Sequence, residues 1–170
     1  MASSVEREAV DLSGYPDLVV IYLGMRVRTL RGLKTLLGLG PRIDEAGEGR
    51  PEGLLHFENN IIYRVFPLHL GMRWYWKDFE SMERWTRSEP HRRWWQRFTR
   101  DAGGTSFWHE VYFVRGGMEG VYGNRQGERY GLFAFAPVVP AHGTMHSARE
   151  RVRRAGAPLR EAVGAELEAP

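Results

Sequence analysis

Residues 106–115, SFWHEVYFVR, constrain the fold more than any other stretch, because glycine pairs bracket them: Gly103-Gly104 before and Gly116-Gly117 after. A β-branched and aromatic run between such breaks reads as a strand entering a tight turn. Side chains alternate along a strand, so Phe107, His109, Val111 and Phe113 share one face, while Trp108, Glu110, Tyr112 and Val114 share the other. One face of the sheet takes helices. A face carrying Phe107, Val111 and Phe113 needs a cover, and a second copy of the same sheet is the simplest one. A homodimer is therefore expected.

The remaining segments fall into place around this strand. LVVIYLGMRVR (18–28) opens apolar on both faces and reads as an internal strand. Thr29 caps a short helical stretch with Leu30, Leu33, Leu36 and Leu37 on one side, and Gly38, Gly40 and Pro41 stop it. The charged, Gly-rich residues 42–53 read as a loop. Strand-like runs follow at 60–66 and 70–76, with Pro67 between them. Asp78 caps an amphipathic helix, Pro90 breaks it, and residues 91–100 continue as a second helical piece. Residues 132–139 form a last apolar stretch, and an Arg- and Ala-rich helix begins at Ser147. The order strand, helix, two strands, helix, strand predicts an α+β, ferredoxin-like βαββαβ fold. Residues 1–16 read as a flexible lead, 17–140 as the domain, and 141–170 as a helical extension and tail.

A chain of 170 residues suits one domain, which at this size buries about 70% of its unfolded surface without staples. Cysteine is absent, which excludes disulfides, thiolate zinc sites and cysteine nucleophiles. The opening MASSVEREAVDL has no apolar signal region, and the apolar run 18–23 is far short of the about 20 residues that span a bilayer. A soluble, cytoplasmic protein is the expectation. The net charge of +3 comes with 22 arginines and two lysines, Lys34 and Lys77. Acids are interleaved with the arginines along most of the chain, and the dense cluster is Arg149, Arg151, Arg153 and Arg154. This reads as a solvated surface and not as a nucleic-acid footprint.

Three sets of residues could carry chemistry. His109 and Glu110 are consecutive on a strand and project to opposite faces, so one reaches a ligand while the other anchors; a hydrogen-bonded core histidine and an ion-paired glutamate remain the plain alternative. In MEGVYGN (118–124), Tyr122 and Asn124 could hydrogen-bond a ligand carbonyl, or Gly123-Asn124 could be simple turn chemistry. All six tryptophans lie between 74 and 108. Trp74, Trp76, Trp85, Trp94, Trp95 and Trp108, with His91, favour a pocket for a flat or apolar ligand, to which Glu110 and Tyr112 add polar groups. The histidines lack metal-ligand spacing, and no nucleotide loop or GxSxG is present.

The segments LGMRVR (23–28), RWYWKDFESMERWTR (73–87), PHRRWWQRF (90–98), WHEVYFVRGGMEGVYGN (108–124) and GL (131–132) resemble a bacterial and fungal family labelled monooxygenase-like. That family is related to the antibiotic-biosynthesis monooxygenases, which are dimeric α-β barrels. The resemblance implies a small-molecule oxygenase of secondary metabolism with an apolar or aromatic substrate. In a cofactor-independent route His91 or His109 would be the base, and Tyr122 and Asn124 would bind the developing oxyanion. The His-Glu-Val strand and Tyr-x-Asn turn are also similar to the haem-dependent aldoxime dehydratases. That likeness implies haem b, His109 as iron ligand, and Arg26 or Arg73 on the propionates. This sequence has Arg125 and Gln126 where those enzymes carry a distal histidine, which speaks against dehydration and not against haem. A non-catalytic small-ligand-binding protein of the same fold is the third reading.

Overall fold

Val19, Val20 and Ile21 open the central strand and are all buried, as a strand covered on both faces requires. The structure, a computed structural model, describes residues 6–114, 117–123 and 129–156. Its strands are β1 (Arg7–Val10), β2 (Val19–Val27), β3 (Leu54–Arg64), β4 (His69–Trp76), β5 (Thr105–Phe113), β6 (Val121–Gly123) and β7 (Val138–Pro140). Its helices are α1 (Leu30–Glu48), α2 (Phe79–Arg87), α3 (His91–Arg100) and α4 (Ala148–Arg154). The chain divides into two compact units.

The larger unit, Asp17–Val114 with Arg129–Phe135, holds a four-stranded sheet in the order β3-β4-β2-β5. Every neighbouring pair is antiparallel. With two helical crossovers this is the ferredoxin-like βαββαβ fold. Its helix-side core is Val19, Ile21, Trp74, Trp76 and Met82, with Ile43, Ala46 and Trp85 packed against it. α2 begins where the sequence implies: Asp78 accepts from the Ser81 amide at 2.7 Å. Glu80 in its first turn and Arg84 and Arg87 in its last complement the helix dipole.

α1 overturns the expected stop and the expected loop. It runs through Gly38, Gly40 and Pro41 to Glu48, with Thr29 as its N-cap. The continued helix packs Ile43 and Ala46 against the sheet core, contacts that work against the local cost of glycine and proline. The last apolar stretch, 132–139, begins as a short 3-10 turn at Gly131–Ala134 and enters strand only at β7.

The assignment of faces also needs correction. Val19 pairs with Phe113, Ile21 with Val111 and Leu23 with His109, so these side chains stand on the helix side. Phe107, Val111 and Phe113 are therefore not the surface a second sheet would cover. The opposite face carries Tyr22, Arg26, His69, Arg73, Trp108, Glu110 and Tyr112 instead.

The smaller unit is Met1–Pro16, Arg115–Glu128 and Ala136–Pro170. Residues 7–10, read from sequence as a flexible lead, form its central strand, and the sheet order is β6-β1-β7. Ala9, Ala141 and Met145 are its core. Arg151, from the dense arginine cluster, is buried there: it pairs with Glu119 at 2.7 Å and donates to the Met145 and His146 carbonyls. The expected helix at 147 is α4, capped by Ser147. No helix among the described residues is long and apolar enough to cross a membrane.

Close packing of α1 is testable at Gly32. A Cβ there would lie 2.2 Å from the Gly104 carbonyl oxygen, a backbone atom that cannot rotate away. Gly32→Ala is expected to cost about 1–3 kcal/mol, read as a lower urea midpoint with an unchanged slope.

Candidate functional site

The helix side of the sheet holds an aromatic ladder. Phe57, Trp74, Trp85 and His91 follow one another with centroid separations of 5.6, 4.9 and 4.9 Å. Trp76 joins it, 5.6 Å from Trp85. Trp74 and Trp76 are buried core residues, so they brace this side of the sheet and do not line an open pocket. Trp85 links sheet to α3, a role the sequence spacing did not reveal.

His91 opens α3, half-buried against Trp85. Its Nδ1 lies 2.8 Å from the Thr86 carbonyl. A carbonyl only accepts, so Nδ1 carries the proton and the neutral ring leaves Nε2 as a lone pair. Burial lowers the pKa most; the Thr86 carbonyl raises it and the nearby His109 lowers it again, for a net value below the ordinary imidazole range. His91 is a neutral proton acceptor at neutral pH.

His109 stands on the edge strand β5, exposed, with Trp95 at 6.3 Å and Phe107 at 5.8 Å. Among the described residues no hydrogen bond ties its ring. The pocket expected from the tryptophans does not close around this imidazole: one indole flanks it, and the ring meets solvent.

An actual cavity lies one strand over, between α1 and the sheet. Its volume is about 260 Å³, and its walls are aliphatic: Leu23, Met25, Leu36, Ile43, Leu70 and Met72. Leu23 is also the register partner of His109. Asp44, Asn59 and Asn60 supply the polar end. Asn59 Oδ1 accepts from the Trp74 indole at 2.9 Å, and its amide donates to Asp44 Oδ1, so both ends of the side chain are fixed. Asp44 is the titratable residue in this wall. Sequence reading missed the cavity because residues 42–53 looked like a loop; the signal available was the Asn59-Asn60 pair interrupting a strand.

The other expected site residues lie elsewhere. Trp94 lines a second groove, between α1 and α3. Arg73 is on the far face, bonded to Glu58 at 2.6 Å and to the Tyr22 hydroxyl at 3.0 Å. Arg26 shares that face, so neither arginine stands on the side of the sheet where His109 would hold an iron. Trp108 donates to His69 Nε2 at 2.8 Å, and Tyr112 donates to Glu110 at 2.5 Å, both also on the far face. Tyr122 is in the smaller unit, paired with Glu8; Asn124, Arg125 and Gln126 lie outside the described residues. No group of three or more metal-ligating side chains occurs among the described residues.

Fold and site together define a ferredoxin-like α+β domain with an apolar cavity between sheet and helix. The model of the family described as monooxygenase af470-like matches residues 18–132, more than half of the chain, and the chain belongs to that family. An aldoxime dehydratase, OxdRE, solved with butyraldoxime, is 25% identical over 96% of this chain and 47% of its own, with a TM-score of 0.68. A second aldoxime dehydratase structure is 22% identical over 89% of this chain and 45% of its own, with a TM-score of 0.65. This chain thus spans about half the length of those proteins. A cofactor-independent oxygenase from Streptomyces nogalater, SnoaB, is 13% identical over 58% of this chain and 94% of its own, with a TM-score of 0.42. No curated protein matches the chain.

The lowered pKa of His91 has a consequence for stability. The folded state resists protonating a ring that the unfolded chain protonates near the ordinary value of 6.5. Stability is therefore full above that value and falls as pH drops through it, because the unfolded state takes up the proton first. His56 and His69, also lowered, chiefly by burial, add to the slope. Urea unfolding at pH 7.5 and 5.5 should show the loss, and His91→Phe should make it smaller. An undiminished pH dependence in that variant would mean that His91 is charged in the fold.

Proposed function

We propose that this chain is an oxygenase-like enzyme acting on a small, largely apolar molecule held between α1 and the sheet. The observation that carries the reading is the cavity itself, aliphatic along its walls and polar at one end. A substrate with an enol or phenol would bury its rings against Leu23, Ile43 and Met72 and present its hydroxyl to Asp44 and Asn60. Asp44, oriented by Asn59, takes the proton; the anion then reacts with O2, one oxygen atom entering the product and the other leaving as water. The aliphatic walls keep water from competing. His91 and His109 stand on the same side of the sheet but outside the lining of this cavity.

The likeness to OxdRE and the untied His109 ring favour a second reading, in which His109 would hold the iron of a haem. A single imidazole with aromatic flanks fits that donor role, and the haem would supply the iron chemistry. Arg26 and Arg73 take no part in it. Self-association belongs to either reading: the aromatic far face, with Tyr63 41% and Tyr112 48% exposed, is the surface a second sheet would cover.

Oxygen uptake with a phenolic or enolic substrate, insensitive to chelator, should fall about 100-fold or more in Asp44→Asn. A Soret band in protein expressed with haem precursor, lost in His109→Ala, would displace this reading in favour of haem. Tight binding of such compounds without turnover would leave a ligand-binding protein. A strict monomer at micromolar concentration would contradict the sheet-to-sheet pairing.

A further inference from the structure

We infer that the groove between α1 and α3 is a binding site for a small organic anion with an aromatic ring, separate from the cavity under α1. The groove has a volume of about 380 Å³ and is lined by Arg31, Lys34, Arg42, Arg97, Trp94 and Phe98, among others. Leu39 is the one residue it shares with the cavity of the proposed enzyme site.

The groove gathers more cations than acids. Arginines along α2 and the start of α3 are matched locally: Arg84 with Glu52, Arg87 with Glu83, and Arg92 and Arg93 both with Glu89. In the groove Asp101 pairs with Arg31 and accepts from the Gly103 amide at 2.8 Å, and Arg97 is near enough to help hold its carboxyl below the usual range. Lys34 and Arg42 make no ion pair among the described residues. Four cations thus converge on one concavity that holds a single acid. Such an arrangement costs mutual repulsion, which an anion relieves. Trp94 and Phe98 add half-buried aromatic surface beside the charge, so a flat ring attached to the anion gains contact that a bare ion does not. The concavity is also too narrow in charge to read a nucleic-acid backbone, whose recognition needs a longer basic track.

Fluorescence titration with 1-anilinonaphthalene-8-sulfonate, an aromatic sulfonate, tests this, with uncharged N-phenyl-1-naphthylamine as the control for apolar binding elsewhere. Lys34, Arg42 and Arg97 are exposed, so their substitution leaves the core intact. The double variant Lys34→Ala/Arg97→Ala should bind the sulfonate about tenfold more weakly or worse, and added salt should weaken wild-type binding. Binding of the uncharged probe should not change. Equal sulfonate binding by wild type and variant overturns the assignment, as does a duplex oligonucleotide that displaces the probe at lower charge concentration than pyrophosphate does. The outcome does not depend on any enzymatic activity, so loss of the cavity's proposed chemistry leaves it standing.

Discussion

The hydrogen-bonded relay from Trp74 through Asn59 to Asp44 ties β4, β3 and α1 together, and two of its members line the cavity. A buried indole N–H demands an acceptor. At Trp74 the acceptor is Asn59, whose other end then needs an acceptor of its own and finds the Asp44 carboxylate. Neighbouring Trp76 shows the alternative, since its buried Nε1 has no partner. Fixing Asn59 this way sets polar atoms at one end of an otherwise aliphatic space. A ligand entering there meets groups already oriented, which lowers the cost of ordering them on binding.

Strand parity divides the remaining chemistry. Because successive residues of β5 alternate, His109 belongs with the helices while Trp108, Glu110 and Tyr112 belong to the far face. The far face satisfies its polar groups internally: Arg73 with Glu58 and Tyr22, Trp108 with His69, Tyr112 with Glu110. Paired groups of that kind rigidify a surface more readily than they transform a substrate. His91 and His109, by contrast, keep ring nitrogens available on the helix side. The division leaves the imidazoles on one face and the internally paired polar groups on the other.

Much of the architecture was legible in the sequence because it rests on local signals. Glycine pairs framed β5, Asp78 capped α2, and an apolar opening marked β2 as internal. α1 was not legible, since Gly38, Gly40 and Pro41 argue for a stop and the burial that overrides them lies across the fold. The same cause hid the site. Asp44 and Asn59 are 15 residues apart and meet only if the helix continues past Pro41. The choice of which face of β5 the helices cover was likewise beyond the strand's own pattern, because both faces carry large aromatic residues. The clustering of tryptophans was visible, but most of it is packing: Trp74 and Trp76 fill the core.

The extended α1 has a consequence on both of its sides. A helix ending at Gly38 would present no Ile43 or Asp44 to the sheet and no Arg42 to α3. By running on to Glu48 it walls the apolar cavity with one side and the cationic groove with the other. Gly38, Gly40 and Pro41 in the helix interior cost about 1 kcal/mol for each glycine and about 3 for a proline, and the packing of Ile43 and Ala46 on the sheet side works against that cost. Four cations meet on that other side around one acid, Asp101. Arg31, Lys34 and Arg42 lie along this one helix, so the packing that extends it toward the sheet also fixes their spacing.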